Sequence, residues 1–600
     1  MPTKIIRSLL LTCLAAAANA RAANGLTGES SAFLKAFADS PVNWMPWGDA
    51  AIARAKSEQK PVFLFIGSFT SELSGAMRRQ TFANPKSAEW LNKSFVCVIV
   101  DRDERPDVAA LYQTYVNNVK QMTGWPLNLW LTPEFRPYEG ATYLSPSEDW
   151  GAPGFLKLAN EAMSAWTKSP ASCRKQALDS MALVSPSPQP AAPAWALDRT
   201  QARLSADAAA WRATFDPAQG GYGDLPKNLE PELIRFMLLQ SQEDKDTALK
   251  TLRILATSAV RDPLDGGFFR HAADPAWRIP YQQKTLSDQA RIALAFLAGA
   301  QGDDTRSFAQ CARGALDYAL GRLMRADGTL AAAEDATGEE FSGYYAWTEA
   351  EIDKALGPDS PAFKAAHGVL PGGNVPAADD PSAVYSQKNL LRSLADTDVL
   401  QASAASRLLS VRDQRRSPLR DERATAGDHG LFINALARAG MQLAEPKYFN
   451  AARRILEAVR RNFMVSQDGT LRRFDGSDVP AYADDYAAMA LGCRGLERAA
   501  NDHDAGELSR KFVSQLDARF YDGGRAGYFG AQNPPGPGFF MRPAAAGDPP
   551  SAETLAILAG SPNAKSIAGA LLKDLDESGP QAPGDQLLAL SILSMRDSAK

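Results

Sequence analysis

The segment SPSPQPAAP, Ser185 to Pro193, places four prolines in nine positions. Proline fixes φ and has no N–H to donate, so this stretch is neither helix interior nor inner strand. It reads as a semi-rigid linker, and any fold of the chain must break there. The patterns on its two sides differ. Residues 30–165 alternate apolar runs with helical periods. From residue 195 to residue 600 strand signals nearly vanish and helical periods dominate.

In the first part, the run Pro61–Phe65 reads as a buried strand, preceded by a helical stretch from Asp49 to Gln59. A second apolar run, Phe95–Val100, ends in Asp101. Val108–Val119 is helical by period, and Leu127–Leu131 is a strand followed by a turn at Thr132-Pro133-Glu134 and another strand. This β-α-β then β-β order predicts a thioredoxin-like sheet. A redox enzyme of that fold would carry Cys-x-x-Cys on the loop after the first buried strand; here the positions are Ser71 and Ser74. A hydroxyl cannot replace a thiolate in disulfide exchange. Ser71 can act as a hydrolytic nucleophile only with a base in reach, and the first histidine of the chain is His271. Thr70 or Ser71 is therefore expected to cap the following helix, with Glu72 favoured by the positive helix end.

In the second part, glycine-aromatic loops recur between helical stretches: TFDPAQGGYG (Thr214–Gly223), RDPLDGGFFRH (Arg261–His271), GEEFSGYYAW (Gly338–Trp347) and FYDGGRAGYFG (Phe520–Gly530). The spacing is irregular, so the repeat is weak. Paired helices joined by such loops predict an all-α (α/α)6 toroid. Glycine lets the backbone turn before a short hairpin. The aromatics either plug helix ends or stack on a sugar-like ligand.

The N-terminus has Lys4 and Arg7 before the apolar stretch Leu9–Ala18, then Ala18-Asn19-Ala20 and Ala20-Arg21-Ala22. That is the pattern of a secretory signal covering residues 1–22, so a periplasmic or secreted protein is expected. Thr12 before Cys13 makes a poor lipoprotein box. The stretch is too short to span a bilayer, and no transmembrane segment is expected elsewhere. Cys97, Cys173, Cys311 and Cys493 are scattered; they exclude a clustered thiolate site and leave room for one disulfide of unassigned pairing. Cys97 lies in a buried run, which argues against thiol chemistry there. A net charge of −4 without long Lys/Arg runs gives no nucleic-acid signal. Neither a phosphate loop nor H-E-x-x-H occurs. Histidines 271, 367, 429 and 503 lack metal-ligand spacing. No metal and no cofactor is expected.

The stretches SPVNWMPWGDAAIARAKSEQKPVFLFIG, VDRDERPDVAALYQ, GWPLNLWLTPEFRPYEGATYL and DGGFFRHAADPAWRIPYQQKTLSDQA resemble the family typified by spermatogenesis-associated protein 20. That resemblance implies a thioredoxin-like domain joined to a six-hairpin toroid of the N-acylglucosamine 2-epimerase kind. The chain departs from the family pattern at its polar positions. Cys-His-Trp-Cys-His is replaced by Ser71-Glu72-Leu73-Ser74-Gly75, and Pro-His-Phe-Glu-Lys-Met by Pro280-Tyr281-Gln282-Gln283-Lys284-Thr285. Trp-Asn-Gly-Leu reads Asp428-His429-Gly430-Leu431, and Pro-Ser-Gly-Asn-Ser reads Pro550-Ser551-Ala552-Glu553-Thr554. Pro126 falls where thioredoxin-like folds keep a cis-proline. The redox scaffold is expected without its redox site.

The remaining acid-base candidates are Asp288, Asp485 beside Asp484, and His429. Sugar isomerases and glycosidases need such groups in pairs. Asp484 is also a natural N-cap, and His429 is expected in a solvated first turn. Arg270, Arg278, Tyr281, Lys284, Tyr344 and Trp347 are candidates to bind a ligand at the toroid mouth, or to form salt bridges and plugs around its loops. The glycine- and proline-rich segment Gly523–Pro550 is a candidate lid. Two functions fit: a carbohydrate- or protein-binding scaffold, or an exported carbohydrate-active enzyme.

Overall fold

The computed structural model describes residues 24–147, 154–184, 194–300, 305–336, 343–381, 383–394, 399–530, 532 and 550–598. The segment expected to be a secretory signal, the Pro-rich stretch 185–193 and most of the candidate lid lie outside them. Described residues up to Val184 form one compact unit, and those from Ala194 onward a second.

The first unit runs α1 (Ala32–Ala36), β1 (Trp44–Pro46), α2 (Asp49–Glu58), β2 (Val62–Gly67), α3 (Glu72–Met77), α4 (Pro85–Ser94), β3 (Val96–Asp101), α5 (Pro106–Lys120), β4 (Leu127–Leu131) and β5 (Pro137–Ala141). The sheet order is β1-β3-β2-β4-β5. β3 is parallel to β1 and β2, and β4 is antiparallel to β2 and β5. The runs are apolar throughout because both sheet faces are covered. Alternate residues serve opposite cores: Phe63, Phe65, Cys97, Ile99 and Trp130 one, Val62, Leu64, Val98, Leu129 and Leu131 the other. Two helices, α6 (Phe155–Lys168) and α7 (Pro170–Val184), carry the unit past the expected boundary at residue 165. Phe155, Ala159, Ala162 and Trp166 form one apolar stripe, which joins Cys173 and Ala177 in the first core.

The second unit is six helix pairs: α8 (Leu197–Arg212) with α9 (Pro231–Met237), α10 (Gln242–Thr257) with α11 (Leu286–Gly299), and α12 (Thr305–Tyr318) with a partner that follows an insertion. That insertion carries α13 (Glu349–Leu356), α14 (Ser360–His367) and α15 (Val399–Arg412); the partner is α16 (Ala426–Gln442). Then come α17 (Pro446–Asn462) with α18 (Ala483–Ala500), α19 (His503–Phe520) with α20 (Ala552–Ala559), and α21 (Ala564–Ser578) with α22 (Gly584–Ser598). The second members pack in a closed ring, α9-α11-α16-α18-α20-α22 and back to α9, and the first members lie against its outside. This is the (α/α)6 toroid. Sequence sorts the two layers. Inner helix α11, LSDQARIALAFLAG, is buried on nearly every side. Outer helix α17 buries only one side, Tyr448, Ala451, Ala452, Ile455, Leu456, Ala458 and Val459.

Glycine sets the closest contact in the ring. A Cβ on Gly492 of α18 would lie 2.3 Å from the carbonyl oxygen of Gly430 on α16. The glycine-aromatic loops are short hairpins leading from outer to inner helices, bridged at Phe215–Tyr222, Arg261–Phe268 and Tyr521–Tyr528. Their aromatics Tyr222, Phe268, Phe269 and Tyr528 are buried, which makes them plugs rather than a stacking surface. Residues 338–342 of the fourth loop are outside the described set. The four described cysteines are all buried and free, so the disulfide left open by the sequence is absent among them. No helix among the described residues is long and apolar enough to cross a membrane.

Candidate functional site

Strand β2 delivers the chain into α3, where a redox dithiol would sit. Ser71 is the N-cap: its Oγ accepts from the Ser74 N–H at 3.2 Å, and Ser74 Oγ donates to Ser71 Oγ at 2.8 Å. Ser74 is wholly buried against Gly67. The Trp125–Pro126 bond is cis. Burial pushes the Cys97 thiol up to about 12, against weaker pulls from Lys60 and Arg54, so it stays protonated.

In the toroid, the three catalytic candidates are structural first-turn residues. Asp288 completes a reciprocal cap: Thr285 Oγ1 donates to it at 2.7 Å and accepts from its N–H at 3.1 Å. Thr425 and Asp428 repeat this arrangement on α16. Asp485 accepts from the N–H groups of Tyr482 and Gly427, both at 2.9 Å, and pairs with Arg473 at 2.8 Å. Burial, then Asp484, raise its carboxyl to about 7 against the pull of Arg473. His429 is not solvated, as expected, but fully buried. Its Nε2 accepts from the Leu330 N–H at 2.9 Å and its Nδ1–H donates to the Thr425 carbonyl at 2.6 Å. Both nitrogens are committed in the neutral ring, and burial holds its pKa down to about 4.

The ligand-binding candidates divide. Arg270 approaches Asp288 at 3.4 Å. His271, which the sequence reading did not single out as a site residue, packs its ring on Tyr281 with centroids 4.0 Å apart. Burial and then Arg270 lower His271 to about 4, with Asp288 opposing. Arg278 pairs with Asp274 and Asp379. Lys284 does not supply charge to a mouth. It is wholly buried and bonds Asp262 at 2.9 Å and Asp265 at 2.8 Å, while Arg412 bonds the same two carboxylates at 2.6 Å. Tyr344 packs on Tyr345, and Trp347 is buried under the Arg415 guanidinium at 3.9 Å. Neither offers a face for sugar stacking.

A cavity of about 190 Å³ is lined by residues of all six inner helices. None of the candidates above lines it. Glu232 of α9 does, and Arg291 of α11 holds it through Nε at 2.9 Å and Nη2 at 2.6 Å, with Asp288 3.4 Å from Arg291 Nη1. Arg235, Arg438, Arg494, Arg498 and Arg596 also line it, with Leu294, Leu558 and Ala499 as apolar wall. Sequence reading missed these groups. A helix N-terminus starting with a Thr or Ser cap and a first-turn acid was visible; arginines spread over four helices form no local motif. Among the described residues no group of three His, Cys, Asp or Glu is placed to hold a metal.

Residues 23–184 match the family model Thioredox_DsbH, described as a protein of unknown function, DUF255. The chain is 27% identical to spermatogenesis-associated protein 20 of Homo sapiens over 87% of this chain and 73% of that protein. It is 26% identical to Uncharacterized protein B0495.5 of Caenorhabditis elegans over 84% of this chain and 75% of that one. Among solved structures, a D-mannose isomerase aligns with TM-score 0.38 at 11% identity, covering 66% of this chain and 85% of that chain. A GH76 α-mannanase of Bacteroides thetaiotaomicron aligns with TM-score 0.35 at 9% identity, over 65% and 82%.

Proposed function

We propose that the chain is an exported binding protein: a thioredoxin-like domain without redox chemistry, joined to a toroid that takes a small ligand in its central cavity. The observation that carries this reading is the cavity lined by all six inner helices, with charged side chains turned into it. The Ser71–Ser74 cap supports the absence of dithiol work. The basic and apolar N-terminal segment motivates export.

The test is thermal unfolding of the full chain against mono- and disaccharides, sugar acids and sugar phosphates, with Ala499→Trp in parallel to fill the cavity. A ligand class that raises the wild-type midpoint and leaves the variant unmoved supports the reading. The same shift in both proteins counts against it. Export is tested by fractionation of cells expressing the chain with and without residues 1–22; equal recovery outside the cytoplasm removes that part.

A second reading, a carbohydrate-active enzyme, draws on the gathering of Asp288, Arg270 and His271 at the start of α11. It requires turnover that Asp288→Asn abolishes while the fold survives. Absence of turnover across the same panel rejects it.

A further inference from the structure

Arg235 of α9, Arg438 of α16, Arg494 and Arg498 of α18, and Arg596 of α22 line one cavity. The carboxylate in its wall, Glu232, is already taken by Arg291. Among the described residues none of the five arginines has an ion-pair partner, and the buried Nε of Arg494 has no acceptor. Arg596 reaches only the carbonyls of Ile557 and Leu558, at 3.4 Å.

Gathered like charges repel, and partial burial strengthens the repulsion. Burial first, then the neighbouring guanidiniums, lower Arg438 and Arg596; Arg235 falls to about 10 although Glu232 pulls the other way. Uncompensated charge is costly to hold where solvent reaches little of it, as at Arg235, Arg494 and Arg596; Arg438 and Arg498 still reach solvent. Helix ends explain part of it, since Arg235, Arg498 and Arg596 lie in last turns, where the dipole favours cations. Arg438 and Arg494 lie further inside their helices, where the dipole offers little. A guanidinium presents a planar fork of donors matched to phosphate and carboxylate. Forks from four helices around one small cavity suit a ligand with more than one such group.

We infer that the toroid cavity is a site for a small ligand bearing two or more oxyanion groups, held by guanidinium forks from α9, α16, α18 and α22. This rests on the binding reading above and names its ligand class. Entry of the anion relieves the repulsion among the five arginines.

The test is calorimetric titration of the full chain with inorganic pyrophosphate, with the dicarboxylate tartrate, and with neutral maltose. Pyrophosphate or tartrate is expected to bind, and the tighter of the two identifies the oxyanion. Binding is expected to weaken about tenfold or more as salt rises and screens the charges. Arg438→Gln with Arg498→Gln, both exposed positions, is expected to weaken it about tenfold while the unliganded unfolding midpoint stays level or rises. Unchanged anion binding in that variant, an adventitious ion only, overturns the inference. Maltose binding with neither anion bound also overturns it, and leaves the binding reading standing. No binding of any of the three overturns both.

Discussion

Ser74 donates its hydroxyl to Ser71 Oγ over 2.8 Å, across the first turn of α3. The pair occupies the place of a dithiol and serves as a helix cap instead. Ser71→Ala is expected to lower stability by about 1 kcal/mol through loss of the cap, measured by denaturant unfolding. The wild-type chain is expected to show no disulfide reduction of insulin in the presence of dithiothreitol. Ser71→Cys with Ser74→Cys is expected to form an intramolecular disulfide on oxidation, seen as a loss of two free thiols. Wild-type reduction above the uncatalysed rate would contradict the assignment.

His429 gives a pH signature. Its ring stays neutral in the folded chain down to about 4, while an unfolded histidine takes its proton near 6.5. The unfolded state therefore binds more protons between these values. His429 contributes its full stability above about pH 6.5, loses it as pH falls through that window, and levels off below about pH 4. The loss is at most about 3 kcal/mol. Unfolding midpoints from pH 7 to pH 4 should show this slope, and His429→Gln should reduce it, leaving the comparable part owed to His271, whose pKa also lies at about 4. An equal slope in the variant would show that the ring is not the source.

Lys284 belongs to a buried network with Asp262, Asp265 and Arg412. Lys284→Met leaves the two carboxylates short of a partner and is expected to cost about 3–5 kcal/mol. Thermal unfolding would show it directly. A variant that unfolds as the wild type does would return Lys284 to the list of ligand-facing residues.

Gly430 and Gly492 hold α16 and α18 at backbone contact. Gly492→Ala is expected to destabilise by about 1–3 kcal/mol through overpacking, read by denaturant unfolding. The exposed site Gly321, with open space around its Cβ position, is the control at which alanine costs nothing.

The architecture was legible where local rules repeat. Continuous apolar runs named β2, β3 and β4, and the cap expected at Thr70 or Ser71 falls at Ser71. The catalytic candidates were misleading for a physical reason: an acid three residues after threonine caps a helix as readily as it moves a proton, and Asp288 and Asp428 share that cap. His429 was misread as solvated because a first-turn position does not disclose that Leu330, ninety-nine residues away, covers it. The arginine lining was illegible because its members stand far apart in sequence and meet only when the ring closes.

The account rests most heavily on the central cavity being a ligand site. The direct measurement is isothermal titration of the wild type and Ala499→Trp with pyrophosphate, tartrate and maltose under identical conditions. The account predicts heat of binding for one ligand class in the wild type and its loss in the filled variant, with both proteins folded by circular dichroism. Equal heats in the two proteins, or none in the wild type with any of the three, would contradict it.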